Sequence, residues 1–372
     1  MDMSSEMIHA LLPTFLVVGL GASPVILGVI EGVADGTASF AKLLSGWLSD
    51  RLGTRKWLAG LGYALAAVSK PFFALATSAG WVLGARFVDR LGKGIRGAPR
   101  DALIADLTPP EQHGAAYGLR QALDSAGAVI GPLAASALML LLDENMRAIF
   151  WIAVIPAAIS VSLIVVKVSE PRGLRANPQA RIPLRRKDIA RLGTAFWRVV
   201  ALAGLLLLAR FSEAFLLLRG QETGVPAAYL PLLFVLMNSV FALAAFPAGA
   251  LSDRIGRRRL LLAGFVLLAA AELLLAVPGS AVALVAATLL WGLHLALTQG
   301  LLVALVADTA APELRGTAFG ILHLVAGVSL LLASTLAGAL WSLFGAAIAV
   351  TAAASLALAG VAAASLWLPA RG

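Results

Sequence analysis

The chain has 372 residues, of which 60% are hydrophobic and only 13% are charged. Soluble domains carry about 25% charged residues, so this composition predicts a protein whose surface lies in a lipid bilayer. A formal net charge of +9 could indicate nucleic acid, but the bases lie in short links between apolar runs, which indicates membrane topology and no nucleic-acid partner. The sequence has no cysteine, which excludes disulfides and thiolate chemistry.

Apolar runs of about 20 residues predict membrane-spanning helices, and the chain has twelve candidates. Helix 1 ends near residue 18, and helices 2 to 12 cover residues 24–48, 57–76, 81–99, 115–142, 147–168, 196–218, 227–251, 260–277, 281–306, 317–340 and 345–368. Helix 1 is short for a span, so we expect either that it begins at residue 1 or that residues before Met1 complete it. The opening MDMSSEM lacks the basic region of a cleavable signal peptide.

The links between these helices divide into a basic set and an opposite set that is nearly free of bases. The short basic links hold Arg51, Arg55, Lys56, Arg100, Arg254, Arg257, Arg258, Arg259 and Arg315, and the long link 169–195 belongs with them. Arg147 and Arg219 are the exceptions on the opposite side. Lysine and arginine concentrate in cytoplasmic loops, so we expect a multi-pass protein of the cell's inner (plasma) membrane with its basic links in the cytoplasm.

Two stretches of the chain recur at nearly the same separation. GWLSDRLGTRKWL, residues 46–58, is repeated as GALSDRIGRRRLL, residues 249–261. ALIADLTPPEQHGAAYG, residues 102–118, is repeated as ALVADTAAPELRGTAFG, residues 304–320. Two repeats in register predict a six-helix bundle at 1–168, a basic cytoplasmic linker at 169–195 and a second six-helix bundle at 196–372, related by an axis along the membrane normal.

These motifs resemble those of the major facilitator superfamily along essentially the whole chain. The family's loop motif G-x-L-a-D-R-x-G-R-K-x-x-L matches the first copy except at Thr54, and matches the second copy fully. Arg90 and Gly94 resemble the helix 4 motif, with Lys93 where glutamine is common. The resemblance implies an all-α integral membrane fold of two pseudo-symmetric six-helix bundles, with a first helix that begins before the sequence does, as the opening DMSSEMIHALLP also suggests.

A third motif of this family, G-x-x-x-G-P on helix 5, is similar to Gly127, Gly131 and Pro132 and is associated with antiporters. The resemblance therefore points to the antiporter-like bacterial permeases. In this family a lock at the loop motif stabilises one gate state and must break when the other opens. The candidate gating residues are Gly46, Asp50, Arg51, Gly53, Arg55, Gly249, Asp253, Arg254, Gly256 and Arg257, together with Gly127, Gly131 and Pro132.

The residue types of the loop motif suit that role. Gly46 and Gly249 would let a neighbouring helix approach closely. Asp50 and Asp253 can accept hydrogen bonds from a facing helix N-terminus or an arginine. Gly53 and Gly256 permit a tight turn, and the bases hold the loop at the anionic leaflet. The alternative is that these bases only enforce topology.

Ionisable residues at membrane depth usually face a cavity or a partner, and they supply the candidate functional residues. The candidate substrate or proton residues are Glu6, Glu31, Asp35, Arg86, Asp89, Arg90, Lys93, Asp124, Arg210 and Glu213. Glu31 and Asp35 lie one turn apart and should not both ionise easily, as a proton carrier requires. Alternatively, Lys42 or the bases of helix 4 neutralise them.

Helix 4 carries more bases than lipid tolerates. Arg86, Asp89, Arg90 and Lys93 share one face, which we expect to line a central cavity. Arg96 and Arg100 are expected to reach the cytoplasmic headgroups. On helix 5, Arg120 and Asp124 are spaced for a mutual pair, and its small residues should pack tightly on another helix.

The remaining polar residues are weaker candidates. The resemblance places helices 1, 4, 7 and 10 around the cavity, which favours contact of Glu6, His9, Arg210 and Glu213 with substrate or protons, although Arg210 and Glu213 could simply pair with each other. We expect His294 and His323 either to titrate or to bond neighbouring helices. Asn238 and Gln299 are plausible cavity liners, and Glu272 is expected near the membrane interface, outside the mechanism.

The leading functional hypothesis is a proton-coupled secondary active transporter that moves a small molecule by alternating access, most simply an H⁺ antiporter that exports it. The alternative is an H⁺ symporter that imports a small solute, and the many bases of the cavity would suit an anionic one. A minor alternative is a metal-ion exporter with Asp2, Glu6, Glu31 and Asp35 as ligands. No P-loop or catalytic constellation is present in the sequence, so we expect no enzymatic activity and no cofactor. The expected partners are the solute, protons and the lipid bilayer, and we expect a monomer.

Overall fold

The computed structural model describes residues 1–52, 55–109, 113–168, 189, 191–310 and 314–367. Side chains are described for these residues except 50, 105–106, 113–118, 121–122, 250, 253–254, 307 and 315–316. In these ranges every one of the twelve predicted spans is helical. The first and seventh spans are each broken into two helical segments, which are labelled a and b.

The helices follow the predicted order. They are α1a (Asp2–His9), α1b (Leu12–Thr14) with a π-helical turn (Phe15–Gly19), α2 (Pro24–Leu52), α3 (Arg55–Leu75), α4 (Ala79–Leu107), α5 (His113–Leu141), α6 (Met146–Lys167), α7a (Thr194–Ala209), α7b (Ala214–Glu222), α8 (Pro231–Ile255), α9 (Arg257–Leu275), α10 (Ala281–Thr309), α11 (Arg315–Phe344) and α12 (Ala346–Trp367). Helices α2, α4 and α10 extend several residues beyond their predicted ends, because they continue past the apolar run into the basic links.

Nine of these spans are long and apolar enough to cross a membrane by length and composition alone, within the described residues. The other three are α1, α4 and α9. The first is interrupted, α4 carries five charges between Arg86 and Arg96, and α9 begins with Arg257, Arg258 and Arg259. Such spans need protein around their charges, which explains why the site is built around α4.

The helix packing repeats between the two halves of the chain. In the first half, α2 and α3 both pack on α4, α3 packs on α6, and α1 packs on α5 and α6. Six helices later the same pairs recur: α8 and α9 on α10, α9 on α12, and α7 on α11 and α12. The halves meet where α2 packs on α11 and where α5 packs on α8. The repeat relates these two contacts to each other, because α8 is the counterpart of α2 and α11 is the counterpart of α5. The predicted pseudo-symmetric two-bundle fold is therefore confirmed; the exact bundle limits stay a prediction, and nearly all of the linker lies outside the described residues.

The contact between α2 and α11 is a close approach of two backbones. Gly28 and Gly32 on α2 face α11, where a Cβ atom at Gly28 would lie 2.1 Å from the carbonyl oxygen of Ser334. A Cβ atom at Gly338 would lie 2.5 Å from the carbonyl oxygen of Pro24. Small residues at four-residue spacing permit such an approach in a membrane. This contact, the glycine seam, closes the molecule at the end away from the basic links, which we call the apolar end; the other is the basic end.

The breaks in α1 and α7 lie at equivalent positions of the two halves. In α1, Pro13 has no N–H to donate to the carbonyl of His9, so the helix is interrupted at residues 10–11. In α7 the break covers residues 210–213. There the Ser334 hydroxyl accepts from the Ser212 N–H at 3.2 Å, and the Ser212 hydroxyl accepts from the Ala214 N–H at 3.3 Å. Irregular backbone at membrane depth is tolerated where it lines a cavity, and both breaks border the site.

Arg147 and Arg219, the two bases at the apolar end, cap helix C-termini. Arg147 donates to the carbonyls of Ala74 and Ala76 at the end of α3, both at 2.7 Å. Arg219 donates to the carbonyls of Leu275 and Val277 at the end of α9, at 2.8 and 3.1 Å. Because α3 and α9 are equivalent by the repeat, both halves satisfy the same unpaired carbonyls with an arginine.

Candidate functional site

Two connected chambers lie between the halves of the molecule. The upper chamber has a volume of about 240 Å³ and the lower chamber, toward the basic end, about 470 Å³. Polar upper-chamber residues are Glu6, His9, Glu31, Asp35, Arg86, Arg90, Lys93, Ser212, Glu213, Asn238 and Gln299. Charged lower-chamber residues are Asp2, Glu6, Lys42, Lys93, Arg96, Arg100, Asp101, Arg120 and Asp124. The chambers meet at Glu6, Lys93 and Asn238, so the path to the centre runs from the basic end while the glycine seam closes the apolar end.

A buried ion pair connects α2 and α4 at the top of the site. The Arg86 guanidinium donates to both carboxylate oxygens of Glu31 at 3.0 and 2.9 Å, and both residues are 1% exposed. Ser212, from the break in α7, donates its hydroxyl to Glu31 at 3.3 Å, which links the two halves. The Nε2 atom of His9 lies 3.4 Å from the same carboxylate, and its Nδ1 atom lies 3.4 Å from Glu6. Glu31 is thus neutralised by a helix 4 base, as the alternative interpretation predicted.

Asp89 does not line the cavity. Its carboxylate accepts from the buried Lys70 ammonium of α3 at 2.6 Å, and Lys70 also donates to Ser5 at 2.9 Å. The expectation that Asp89 shares the cavity face with Arg86, Arg90 and Lys93 was therefore wrong. The ion pair with Lys70 on the neighbouring helix holds the Asp89 side chain inside the first half.

Arg96 and Arg100 do not reach outward to headgroups. Arg96 is 3% exposed, donates to Asp2 at 2.6 Å, and lies over the Tyr63 ring at 4.7 Å. Arg100 faces the lower chamber and lies 3.4 Å from Asp124. The predicted pair of Arg120 and Asp124 is confirmed at 2.8 Å. Acids on α1 and α5 thus hold these bases at the chamber wall.

Two carboxylates in the upper chamber have no hydrogen bond or ion pair among the described residues. These are Asp35 on α2 and Glu213 at the break of α7, and both are half-buried. Of the two alternatives for Asp35, neutralisation by Lys42 has no counterpart among the described contacts, whereas Arg86 and Arg90 of helix 4 act on Asp35 electrostatically without forming an ion pair with it. Arg210 forms no ion pair with Glu213 and is not part of the chamber walls.

The helix 5 motif packs against α1. A Cβ atom at Gly127 would lie 3.1 Å from the Cβ atom of Asp2, and one at Gly131 would lie 2.7 Å from the carbonyl oxygen of Met3. Pro132 follows inside α5. The expectation of tight packing by this small face is confirmed, and it brings Asp2 and Glu6 to the chambers.

The two copies of the loop motif differ in their packing. A Cβ atom at Gly46 would lie 3.2 Å from that of Ala98 on α4, whereas one at Gly249 would meet no atom within 4 Å. Close approach of a neighbouring helix is thus confirmed for the first copy and wrong for the second. Gly256 has φ +90° and makes the predicted turn between α8 and α9.

The charged gating residues are described in part. Arg257 pairs with Asp308 on α10, and the Arg51 guanidinium lies over the Trp47 ring at 5.3 Å. Arg55 begins α3. Gly53 and the side chains of Asp50, Asp253 and Arg254 lie outside the described residues, so the lock itself stays a prediction.

Apart from Glu213 and His323, the second half contributes uncharged side chains to the chambers. Its apolar upper-chamber residues are Phe234, Met237, Phe241 and Leu295. Asn238 and Gln299 line the chamber as predicted. The His294 Nδ1 atom bonds the Gly264 carbonyl at 2.8 Å, which confirms its role between helices, while His323 lines the lower chamber.

Glu272 is not at the interface. It is 0% exposed in α9, and neither carboxylate oxygen has a partner among the described residues. The expectation rested on the resemblance, which places helix 9 among the outer helices, but the side chain is buried within the second half.

Some residues of the site were missed by sequence reasoning. Lys70, a single base deep in an apolar run, was a signal for a buried partner. The glycines at residues 28, 32 and 36 were a visible small-residue repeat. Ser212 and Ser334 carried no signal, because their role depends on a break in α7 that no proline announces.

The described residues offer no group of three histidine, aspartate or glutamate side chains that could hold a metal ion. Three of the four acids needed by the metal alternative are occupied by other partners, since Asp2 binds Arg96, Glu6 lies against His9, and Glu31 binds Arg86. The metal-exporter alternative therefore has no support in the site.

The sequence model of the Major Facilitator Superfamily matches residues 1–236 and 214–372. The chain belongs to the major facilitator superfamily. An uncharacterized MFS-type transporter of Methanocaldococcus jannaschii is 31% identical over 350 residues, covering 92% of this chain and 86% of the relative. The multidrug resistance protein MdtH of Photorhabdus laumondii is 34% identical over 121 residues, 32% of this chain and 30% of that protein.

Solved structures of the superfamily share the fold. A POT family transporter in complex with 5-aminolevulinic acid has a TM-score of 0.81 at 12% identity, covering 97% of this chain and 92% of that chain. The human organic anion transporter MFSD10 has a TM-score of 0.68 at 21% identity, covering 98% and 96%. The protein is thus a membrane transporter of the superfamily and not an enzyme.

Proposed function

We propose that this superfamily member is a proton-coupled secondary active transporter that moves a small molecule by alternating access, and most simply an H⁺ antiporter. The observation that carries the proposal is that two carboxylates of the upper chamber, Asp35 and Glu213, form no hydrogen bond or ion pair among the described residues. A carboxylate without such a contact can gain or lose a proton without breaking an ion pair. The two acids can therefore take up a proton from the side to which the chamber opens.

Each carboxylate comes from a different half. Asp35 belongs to α2 and Glu213 to the break in α7, so movement of the halves changes the surroundings of both. The Glu31–Arg86 ion pair accepts a hydrogen bond from Ser212 of the other half and is already neutral overall, so it is a fixed part of the site. We assign proton transfer to Asp35 and Glu213, and structural support to Glu31 and Arg86.

Antiport is favoured by the Gly127–Pro132 motif, and in that mode the substrate would compete with protons for the two acids. Partial similarity to MdtH proteins, whose name denotes multidrug resistance, agrees with export. A second candidate is H⁺ symport of an anionic solute, favoured by Arg90 and Lys93, which have no hydrogen bond or ion pair in the chamber beyond a 3.6 Å approach of Arg90 to Asp89. An anion there would stabilise protonated acids, and by linkage the proton and the anion would bind together.

The proposal includes the predicted setting: a monomer in the cell's inner membrane, with the basic end in the cytoplasm, so the conformation described faces inward. It also includes a gate lock at Asp50 and Asp253 on the basic end. Asp50→Asn should shift the balance between open and closed states with little change in substrate affinity.

Proteoliposomes with an imposed pH gradient test the proposal, and Asp35→Asn is the decisive variant. The amide keeps the size of the side chain but carries no titratable proton, so gradient-driven solute movement should fall to the level of empty vesicles, while solute exchange continues. The direction of movement distinguishes antiport from symport.

Asp143→Asn is the matched control, because Asp143 is exposed in the loop between α5 and α6 and its positive φ of 48° suits asparagine. This control should couple normally. Unchanged coupling in Asp35→Asn would remove Asp35 from the mechanism, and solute movement independent of the gradient would remove proton coupling altogether.

A further inference from the structure

The upper chamber is lined by eight acids and bases around a small volume, and half of them bind one another. Glu31 and Arg86 bind each other, although the Arg86 Nε remains unpartnered, and Glu6 lies against His9. The bases left without such a pair are Arg90 and Lys93, both on α4.

Of these two bases, Arg90 gives the stronger evidence for a ligand site. It is 5% exposed, and its Nε and Nη2 atoms are buried without a hydrogen-bond partner among the described residues. Its nearest acid is Asp89, at 3.6 Å from Nε, and the other oxygen of Asp89 is occupied by Lys70. Buried N–H groups almost always have a hydrogen-bond acceptor. The N–H groups of Arg90 that have none are therefore suited to bind an acceptor oxygen of a ligand.

Lys93 lies one turn further along α4, at the junction of the two chambers, and is exposed to the cavity. It has no hydrogen bond or ion pair among the described residues. A ligand oxygen bound to Arg90 would therefore lie beside a second positive charge, at the point where a solute enters from the basic end.

The opposite wall of the same chamber is apolar and belongs to the other half. Phe234, Met237 and Phe241 on α8 and Leu295 on α10 provide it. Ligand sites commonly combine such an apolar wall with a few polar groups that fix orientation. A carboxylate on the first half and an apolar body on the second would make one solute contact both halves.

We propose that Arg90 and Lys93 form an anion-binding subsite that takes the carboxylate of a small organic acid, whose apolar body packs on Phe234, Phe241 and Leu295. The inference deepens the second candidate of the proposed function, symport of an anionic solute, and rests on it in one respect: Asp35 and Glu213 must be protonated when the anion is bound, since they share the chamber. Arg86 is excluded as the anchor because Glu31 occupies it, and Arg210 because it is not part of the wall.

Three probes of nearly one shape and different charge test this subsite: benzoate, benzamide and benzamidine. Each is titrated against the purified full-length protein in lipid nanodiscs, by calorimetry and by the shift in melting temperature. Benzoate should bind and stabilise the protein, benzamide should bind more weakly, and benzamidine should bind weakest. Hydrogen bonds to charged groups correspond to at least about a tenfold change in affinity, so Arg90→Gln should weaken benzoate by at least about tenfold and abolish its advantage over benzamide.

Arg198→Gln is the control, because Arg198 is an exposed base on α7a outside both chambers; it should bind benzoate like the wild type. If Arg90→Gln does not fold, Arg90→Lys should fold and retain the preference for the anion with lower affinity. The proposal is overturned if wild-type protein does not bind benzoate, if benzamidine binds more tightly, or if Arg90→Gln retains the benzoate preference.

Failure of the subsite and failure of proton coupling give different results. Proton-coupled transport with no benzoate preference would remove the anion subsite and keep the proposed function. Arg90-dependent benzoate binding without gradient-driven transport would do the reverse.

Discussion

The two halves of this transporter share a fold but not a chemistry. Helix α4 carries five charges between Arg86 and Arg96, and three of them, Arg86, Asp89 and Arg96, form ion pairs with α2, α3 and α1. Its counterpart in the second half is α10. The α10 residues Leu295 and Gln299 line the upper chamber and are uncharged, and His294 is bound to a backbone carbonyl. The duplication thus preserved the helix packing and left the titrating groups mainly to one half.

One pair of equivalent positions shows how the scaffold stayed constant while the side chains diverged. A Cβ atom at Gly62 on α3 would lie 2.6 Å from the backbone N of Arg96 on α4. At the equivalent place in the second half, a Cβ atom at Gly264 would lie 2.3 Å from Thr298. In both halves the glycine lies close to the equivalent residue of the next helix, which is a buried arginine in one half and a threonine in the other, so this close approach does not require the charge.

The largest effect is expected from Glu31→Gln, which removes the acid of the buried Glu31–Arg86 ion pair in the charged half. Removal of one partner from a buried ion pair leaves Arg86 uncompensated and destabilises proteins by about 3–5 kcal/mol. The melting temperature in lipid nanodiscs should fall accordingly, and transport should be lost.

The double variant Glu31→Gln, Arg86→Gln tests whether the uncompensated charge of Arg86 causes the loss of stability. Because it removes both charges, it should recover most of the stability that the single variant loses. A double variant as unstable as Glu31→Gln would mean that the pair is not the source of the effect.

A smaller effect is expected from a methyl group in the glycine seam. In Gly28→Ala the new Cβ atom would meet the Ser334 carbonyl, so α2 and α11 must separate at the apolar end, at a cost of about 1–3 kcal/mol. The chain has no native cysteine, so cysteines placed at residues 25 and 342 report this contact cleanly. Their cross-linking should decrease in Gly28→Ala.

Gly249→Ala is the matched change in the second half. It meets no atom within 4 Å and gains helix propensity, so cross-linking and stability should stay unchanged or improve slightly. Loss of the 25–342 cross-link in Gly249→Ala instead would show that the second loop motif controls the seam.

The smallest expected effect is a gain, and it tests whether the second half depends on a buried acid. Glu272 has no partner among the described residues, and an unsatisfied buried polar group costs about 1–3 kcal/mol. Glu272→Met should therefore raise the melting temperature and leave transport intact.

Glu222→Met is the contrasting control, because Glu222 accepts from Arg219 at 3.0 Å and from the Trp341 indole at 2.7 Å. It should lower the melting temperature. Loss of coupling in Glu272→Met would add Glu272 to Glu213 as a titrating group of the second half and overturn the purely structural role given to Glu272 here.

The fold was readable because its signals are periodic and repeated. Apolar runs gave the spans, and the duplicated motifs at residues 46–58 and 249–261 gave the two-bundle arrangement. The Arg120–Asp124 pair and the small face of Gly127 and Gly131 were also predictable, because spacing along one helix determines which groups are neighbours.

Partners on different helices were not predictable from spacing. Asp89 binds Lys70 rather than facing the cavity, and Arg96 is held by Asp2 and Tyr63 rather than by headgroups. In each case an unpaired charge near the bilayer centre has several possible partners, and only the rotation of the neighbouring helix decides among them.

The breaks in α1 and α7 determine the form of the barrier at the apolar end. The outer segments α1b and α7b, one from each half, pack against each other in front of the continuous rods α2 and α11. The barrier therefore has two layers: the short segments α1b and α7b, and the pair α2 and α11, whose backbones approach closely. In the alternating access proposed above, both layers have to open before a solute can cross that end, and the first of them borders the residues assigned to the solute.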